Sequence, residues 1–184
     1  MTIPTFFTLL RIFLIPFFFT SLMSYEEGRE VYRWVAFGLF TAAAATDIVD
    51  GWLARTLRQK SELGTFLDPV ADKLLIVSGF LALAIVDSIR YPPPLWVVVA
   101  VIFREIFIAG GFLMYFMLFG KIRVLPNIVG KATVMTQMVT IALVLTNWKI
   151  SLIFCYITAG LSVLSCLVYL VRDLKLLQGD VEWP

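Results

Sequence analysis

Apolar residues run through this chain in long stretches, broken only by short clusters of charge, proline or glycine. The runs predict six helices, at roughly residues 5–24, 31–58, 68–87, 94–118, 128–147 and 150–172. Each approaches the ~20 residues needed to cross a hydrocarbon layer. Together they use most of the 184 residues, leave short loops and show no fixed repeat. One bundle over residues 1–184 is expected, with no separate soluble domain. No basic stretch precedes the first run and no small-residue cleavage pattern follows it, so it reads as a retained span and not a leader. The pattern predicts an all-α integral membrane protein with six transmembrane helices in one bundle.

Composition sharpens this reading. The chain is 60% hydrophobic and 15% charged, with a mean hydropathy of +0.92, whereas a soluble domain carries about a quarter charged residues. It contains no histidine, which excludes Ser-His-Asp and Cys-His nucleophile chemistry, histidine-ligated zinc or haem, and any imidazole acid or base. A net charge of +2 gives no bulk case for nucleic acid. Cys155 and Cys166 share one apolar run and read as small buried hydrophobes.

Placement of charge says more than its sum. Arg55, Arg58, Lys60, Lys121, Arg123, Lys131, Arg172 and Lys175 fall on one side of the predicted bundle, against Arg29, Arg33, Arg90 and Lys149 on the other. The excess of basic residues marks the cytoplasmic side. Both termini are therefore expected in the cytoplasm. Trp34, Trp96 and Trp148 stand near span ends, where interface anchors belong.

The segment TDIVDGWLARTLRQKSELGTFLDPVADK places four aspartates inside otherwise membrane-like sequence. Ionisable groups at that depth are costly and functional by default. Asp47 and Asp50 are spaced i, i+3, and Asp68 and Asp72 i, i+4, so each pair can project from one helix face. The second helix descends to the cytoplasmic boundary and the third starts from it, which brings all four to similar depth. Clustered carboxylates repel unless cations neutralise them, and oxygen-only donors suit Mg²⁺, Mn²⁺ or Ca²⁺. Two such ions about 4 Å apart stabilise in-line displacement at phosphorus.

Small residues flank the acids. Gly51 and Ala54 follow Asp47 on the same stripe and clear room for a nucleotide or pyrophosphate, Arg55 and Arg58 can reach a phosphate, and Gly64 can clear the opposite wall. Structural roles compete with these. Asp68 before Pro69 fits an N-cap with proline at N1, and Asp72 suits a first helical turn. Gly51 and Ala54 also permit helix packing, and Arg55, Arg58 and Lys60 also fit interfacial anchors. Capping does not account for Asp47 and Asp50, late in a long helix where the dipole disfavours anions.

The joint pattern D-x-x-D-G-x-x-A-R-x8-G-x-x-x-D-x-x-x-D, filled by Asp47, Asp50, Gly51, Ala54, Arg55, Gly64, Asp68 and Asp72, resembles the signature of the CDP-alcohol phosphatidyltransferase family. The resemblance covers nearly the whole chain, since the family too has six membrane helices with the motif on the second and third. It implies a reaction in which a hydroxyl attacks the β-phosphorus of a CDP-linked lipid and releases CMP. Carried over by position, Asp47, Asp50, Asp68 and Asp72 would hold two divalent cations, Mg²⁺ or Mn²⁺. Asp72 would also be the general base, and Gly51, Ala54, Arg55 and Gly64 would line the CDP site. Thr8 is a further candidate nucleotide contact. The family also implies a homodimer among membrane lipids.

The opening IPTFFTLLRIFLIPFF and the stretch GTFLDPVADKLL resemble bacterial members that use CDP-diacylglycerol and glycerol 3-phosphate. An anionic acceptor needs its own cations. Candidates are Arg104, Lys131, Lys73 and Arg123, with Lys121 beside them. Arg104 also reads as half of a buried ion pair with Glu105, and Lys131 as an interfacial residue reaching out of the bilayer. Arg11 either points toward the site or extends to the cytoplasmic boundary. Beyond Arg104-Glu105 the run IFIAGGFLMYF lacks the further basic residues of those members, so a family member whose acceptor is phosphatidylglycerol is the competing reading. From a different class, a small cation transporter would also carry intramembrane aspartates, but spread across the bilayer and not gathered at one boundary.

Overall fold

The computed structural model of the chain describes residues 3–57, 62–119 and 127–178. Regular structure among them is helical throughout: α1 (Ile3–Met23), α2 (Glu30–Leu57), α3 (Glu62–Ile85), α4 (Leu95–Phe119), α5 (Ile128–Leu145) and α6 (Ser151–Gln178). Among the described residues, α1, α5 and α6 each hold a window long and apolar enough to cross a membrane. With the family evidence given below, this makes the chain a membrane protein.

Each helix buries one stripe and turns the rest outward. On α1 the stripe is Thr8, Arg11, Ile15, Phe18 and Leu22, polar at the start of the helix and apolar toward its end. It packs against α2 and α3, with the Phe18 and Phe40 rings 5.7 Å apart. Ala36, Phe40 and Ala43 of α2 and Leu75, Ile76, Phe80 and Leu83 of α3 complete this half of the core. The other half is α5 against α6, with α4 seated on α6 and α3. Outward faces carry Phe13, Phe17, Val99, Phe103, Ile106 and Leu167, all exposed. Large apolar groups facing outward suit a hydrocarbon solvent.

The α5–α6 seam is polar where the α1–α3 core is greasy. Thr140 and Thr158 hydroxyls lie 2.7 Å apart, and Thr133 Oγ1 donates to the Leu161 carbonyl at 3.3 Å. Interhelical hydroxyl bonds of this kind hold membrane helices together where burying apolar surface offers no gain over lipid.

Two boundaries differ from the sequence expectation. α3 begins at Glu62 and not near residue 68, so Asp68 and Pro69 lie inside the helix and the N-cap reading of Asp68 is overturned. Glu62 supplies an acid in the first turn, where the helix dipole favours it. α6 continues to Gln178, because Arg172 to Gln178 contains no helix breaker although it has left the apolar run. At the start of α5, Asn127 caps the helix by accepting from the Val129 amide. Trp34, Trp96 and Trp148 are all exposed near helix ends. Cys155 is buried and Cys166 half-buried, both as free thiols.

Candidate active site

The four aspartates divide between α2 and α3, which are in contact. Asp47 stands ten residues before α2 ends at Leu57, and Asp72 ten after α3 begins at Glu62; Asp50 is seven from its end and Asp68 six from its start. At 1.5 Å per residue this places the two pairs at matching depths, ~15 Å and ~10 Å from the shared end. Gly51, Ala54 and Arg55 lie on the last turns of α2, and Gly64 on the first turn of α3. The side chains of residues 47–57 and 62–66 and of Asp68 lie outside the described set, as do Arg58, Lys60, Lys121 and Arg123 altogether. Asp72 is described and half-buried.

Thr8 and Arg11 approach this end from α1. Both are fully buried, one turn apart on the stripe that packs toward α2 and α3. The alternative in which Arg11 extends to the boundary is therefore excluded: its guanidinium stays within the bundle.

Across α3 lies a second polar group. Lys73 Nζ is 3.2 Å from Glu105 Oε2 and 3.4 Å from the Glu105 carbonyl oxygen. Arg104 donates through Nη1 to Glu105 Oε1, so the ion-pair reading of Arg104 holds. Gln137 Nε2 donates to the same oxygen at 3.2 Å. The other arm of Arg104 donates to the Gly130 carbonyl at 3.3 Å and reaches Ser165 Oγ at 3.5 Å. Arg104 and Glu105 are nearly sealed, whereas the Lys73 side chain is 28% exposed. Helices α3, α4, α5 and α6 thus meet at one cluster of two cations and one carboxylate. Lys131, next to Gly130, is exposed.

Sequence reasoning missed Gln137, and it treated Glu105 only as a partner for its neighbour. The signal was present: each is a polar or ionisable group in an apolar run, where a buried partner is required. That Lys73 and Gln137, each thirty-two residues away from Glu105, share its carboxylate is a fact of packing.

At the opposite end of the helices, Arg33 bridges to Glu30 at 2.6 Å, donates to the Leu145 carbonyl at 3.2 Å and sits over the Tyr25 ring. Burial, helped by the hydrogen bond to Glu30, pushes the Tyr25 phenol above its ordinary range. Asn147, in the left-handed region at φ 56, accepts from the Arg90 amide and ties the α5–α6 turn to the α3–α4 loop. This end carries no part of the aspartate motif.

A family model described as CDP-alcohol phosphatidyltransferase matches residues 1–168. Among curated relatives, CDP-diacylglycerol–glycerol-3-phosphate 3-phosphatidyltransferase 2 of Arabidopsis thaliana is 33% identical over 194 aligned positions, covering 96% of this chain and 81% of the relative. A CDP-diacylglycerol–glycerol-3-phosphate 3-phosphatidyltransferase of Wigglesworthia glossinidia brevipalpis is 33% identical across 92% of this chain and 93% of its own. One from Pseudomonas fluorescens reaches 40% identity over a shorter stretch, 60% of this chain and 54% of that one.

Proposed function

The chain belongs to the CDP-alcohol phosphatidyltransferase family and is a transferase, and from that premise we propose that it moves the phosphatidyl group of CDP-diacylglycerol to the hydroxyl of glycerol 3-phosphate, releasing CMP. The observation that carries this reading is the matching depth of the two aspartate pairs on neighbouring helices, with a cation-rich cluster one residue beyond Asp72. The names of the relatives favour glycerol 3-phosphate over phosphatidylglycerol as acceptor.

The donor set is four carboxylates with no imidazole or thiolate, which fits hard divalent ions. Asp47, Asp50, Asp68 and Asp72 would hold two of them, Mg²⁺ or Mn²⁺. When bound, such ions neutralise a diphosphate and stabilise the departing nucleotide. The protein's own part is to position the reactants. Gly51, Ala54, Gly64 and Thr8 line the CDP site, and Arg55 meets its phosphates. Lys73, Lys131 and Arg123 draw the anionic acceptor, its hydroxyl toward Asp72, and Arg104, committed to Glu105, Gly130 and Ser165, adds only its charge. A carboxylate oxygen of Asp72 accepts the hydroxyl proton as the new P–O bond forms and the bond to CMP breaks. Exclusion of water by the surrounding bundle protects the phosphatidyl group from hydrolysis.

In this reading all six helices span the cytoplasmic (inner) membrane, with both termini and the site facing the cytoplasm, as the loop Lys and Arg bias supports. The family resemblance supports a homodimer.

The test is CMP release by purified protein in lipid bilayers with CDP-diacylglycerol. Turnover is expected only with Mg²⁺ or Mn²⁺ present, and with glycerol 3-phosphate in preference to phosphatidylglycerol, inositol phosphate or serine. Faster release with phosphatidylglycerol would reassign the acceptor; divalent-independent release would sink the metal assignment.

A further inference from the structure

We infer that Glu105 is a positioning residue for the aspartate site, acting through Lys73 to fix the rotation of α3 and hence the direction of Asp72. The inference rests on the proposed metal-holding role of Asp72.

Geometry carries it. Lys73 follows Asp72, so the two side chains leave α3 about 100° apart. Lys73 reaches across to α4, where Glu105 holds its ammonium from two oxygens, Oε2 at 3.2 Å and the backbone carbonyl at 3.4 Å. Glu105 is itself held on its other oxygen by Arg104 and Gln137. Arg104 is tied in turn to α5 and α6 through Gly130 and Ser165. A cation on α3 is thus anchored to a carboxylate that cannot swing, and α3 cannot roll about its axis without breaking the tie. Productive constellations tolerate errors of only about 0.5 Å and 10–20°, a range that a free roll of one helix exceeds.

The Lys73 variants give a test whose sign separates positioning from electrostatics. Deleting the positive charge in Lys73→Met relieves repulsion toward a divalent cation nearby, so Coulomb energy alone makes Mn²⁺ bind more tightly. Loss of position makes it bind more weakly, on the order of tenfold for the loss of an outer support of a metal ligand. Mn²⁺ titration of the purified full chain, followed by loss of the free-ion electron paramagnetic resonance signal, reads this without turnover. Lys73→Met is expected to weaken Mn²⁺ binding about tenfold and Lys73→Arg, which keeps the tie, to stay within about twofold. Glu105→Gln should weaken binding like Lys73→Met; if it does not fold, as judged by thermal unfolding, the two Lys73 variants decide. Mn²⁺ binding by Lys73→Met equal to or tighter than wild type overturns the inference while the proposed function stands. Wild type that neither binds Mn²⁺ nor releases CMP with any acceptor overturns both.

Discussion

In the proposed mechanism Asp72 does two things at once, holds a cation and takes a proton, and both depend on its carboxylate charge. Asp72→Asn keeps size but loses the charge and cannot accept the hydroxyl proton. General-base losses run to about 10²–10⁴-fold, so CMP release should fall by at least ~100-fold. CDP-lipid binding, assigned in the proposed function to α1, α2 and the first turn of α3, should be largely retained in an equilibrium binding assay. An active Asp72→Asn enzyme defeats the role as base. At this scale the sequence was informative where a residue's chemistry conflicts with its surroundings. Asp47 and Asp50 stand out because neither dipole nor cap explains an anion late in α2. Arg11 left two readings, and only its complete burial decides between them. Gln137 shows in sequence as a polar group in an apolar run but does not name its partner; its bond to Glu105 exists only once α4 and α5 are packed.

Helices were easier to read than the contacts between them. Apolar runs marked six helices, with ten of their twelve ends within two residues, since a long apolar run writes a continuous signal. The start of α3 was missed because Asp68-Pro69 imitates a helix beginning, while the true start at Glu62 lies in polar sequence without periodicity. How α3 docks on α5 was not legible at all, and it turns on Gly79. A Cβ built there would lie 2.7 Å from Ile141 Cδ1. Gly79→Ala should therefore lower stability by about 1–2 kcal/mol through overpacking, even though alanine is the better helix former. Ile141→Val removes that Cδ1 atom, so the double variant should recover most of the loss despite two changes in a buried contact. Thermal unfolding in one detergent checks this. Additive losses in the double variant would show that the close approach does not limit the α3–α5 contact.

For the whole molecule, the arrangement of charge along the helix axes carries the functional reading, and it is open to direct measurement. The aspartate pairs, Thr8 and Arg11 lie within ~15 Å of one end of the bundle, the Lys73–Glu105–Arg104 cluster near mid-depth, and the Arg33–Glu30–Tyr25 group at the other end. A transport pathway would need ionisable groups to continue from that mid-depth cluster to the far end, where α1 offers Ile15 and Phe18 and α3 offers Ile76 and Phe80. A catalytic site open to soluble glycerol 3-phosphate and CMP needs one aqueous face only. If that face is cytoplasmic, exposed Lys131 lies inside the cell and exposed Asp87, in the α3–α4 loop, outside its inner membrane. With Cys155 and Cys166 replaced by alanine, a single cysteine at position 87 should react with a membrane-impermeant maleimide added to spheroplasts. One at position 131 should react only after lysis. The reverse pattern would invert the bundle and place the site away from the cytoplasmic supply of nucleotide-activated lipid; that would break the link between the Lys and Arg bias and the direction in which α2 and α3 present their acids.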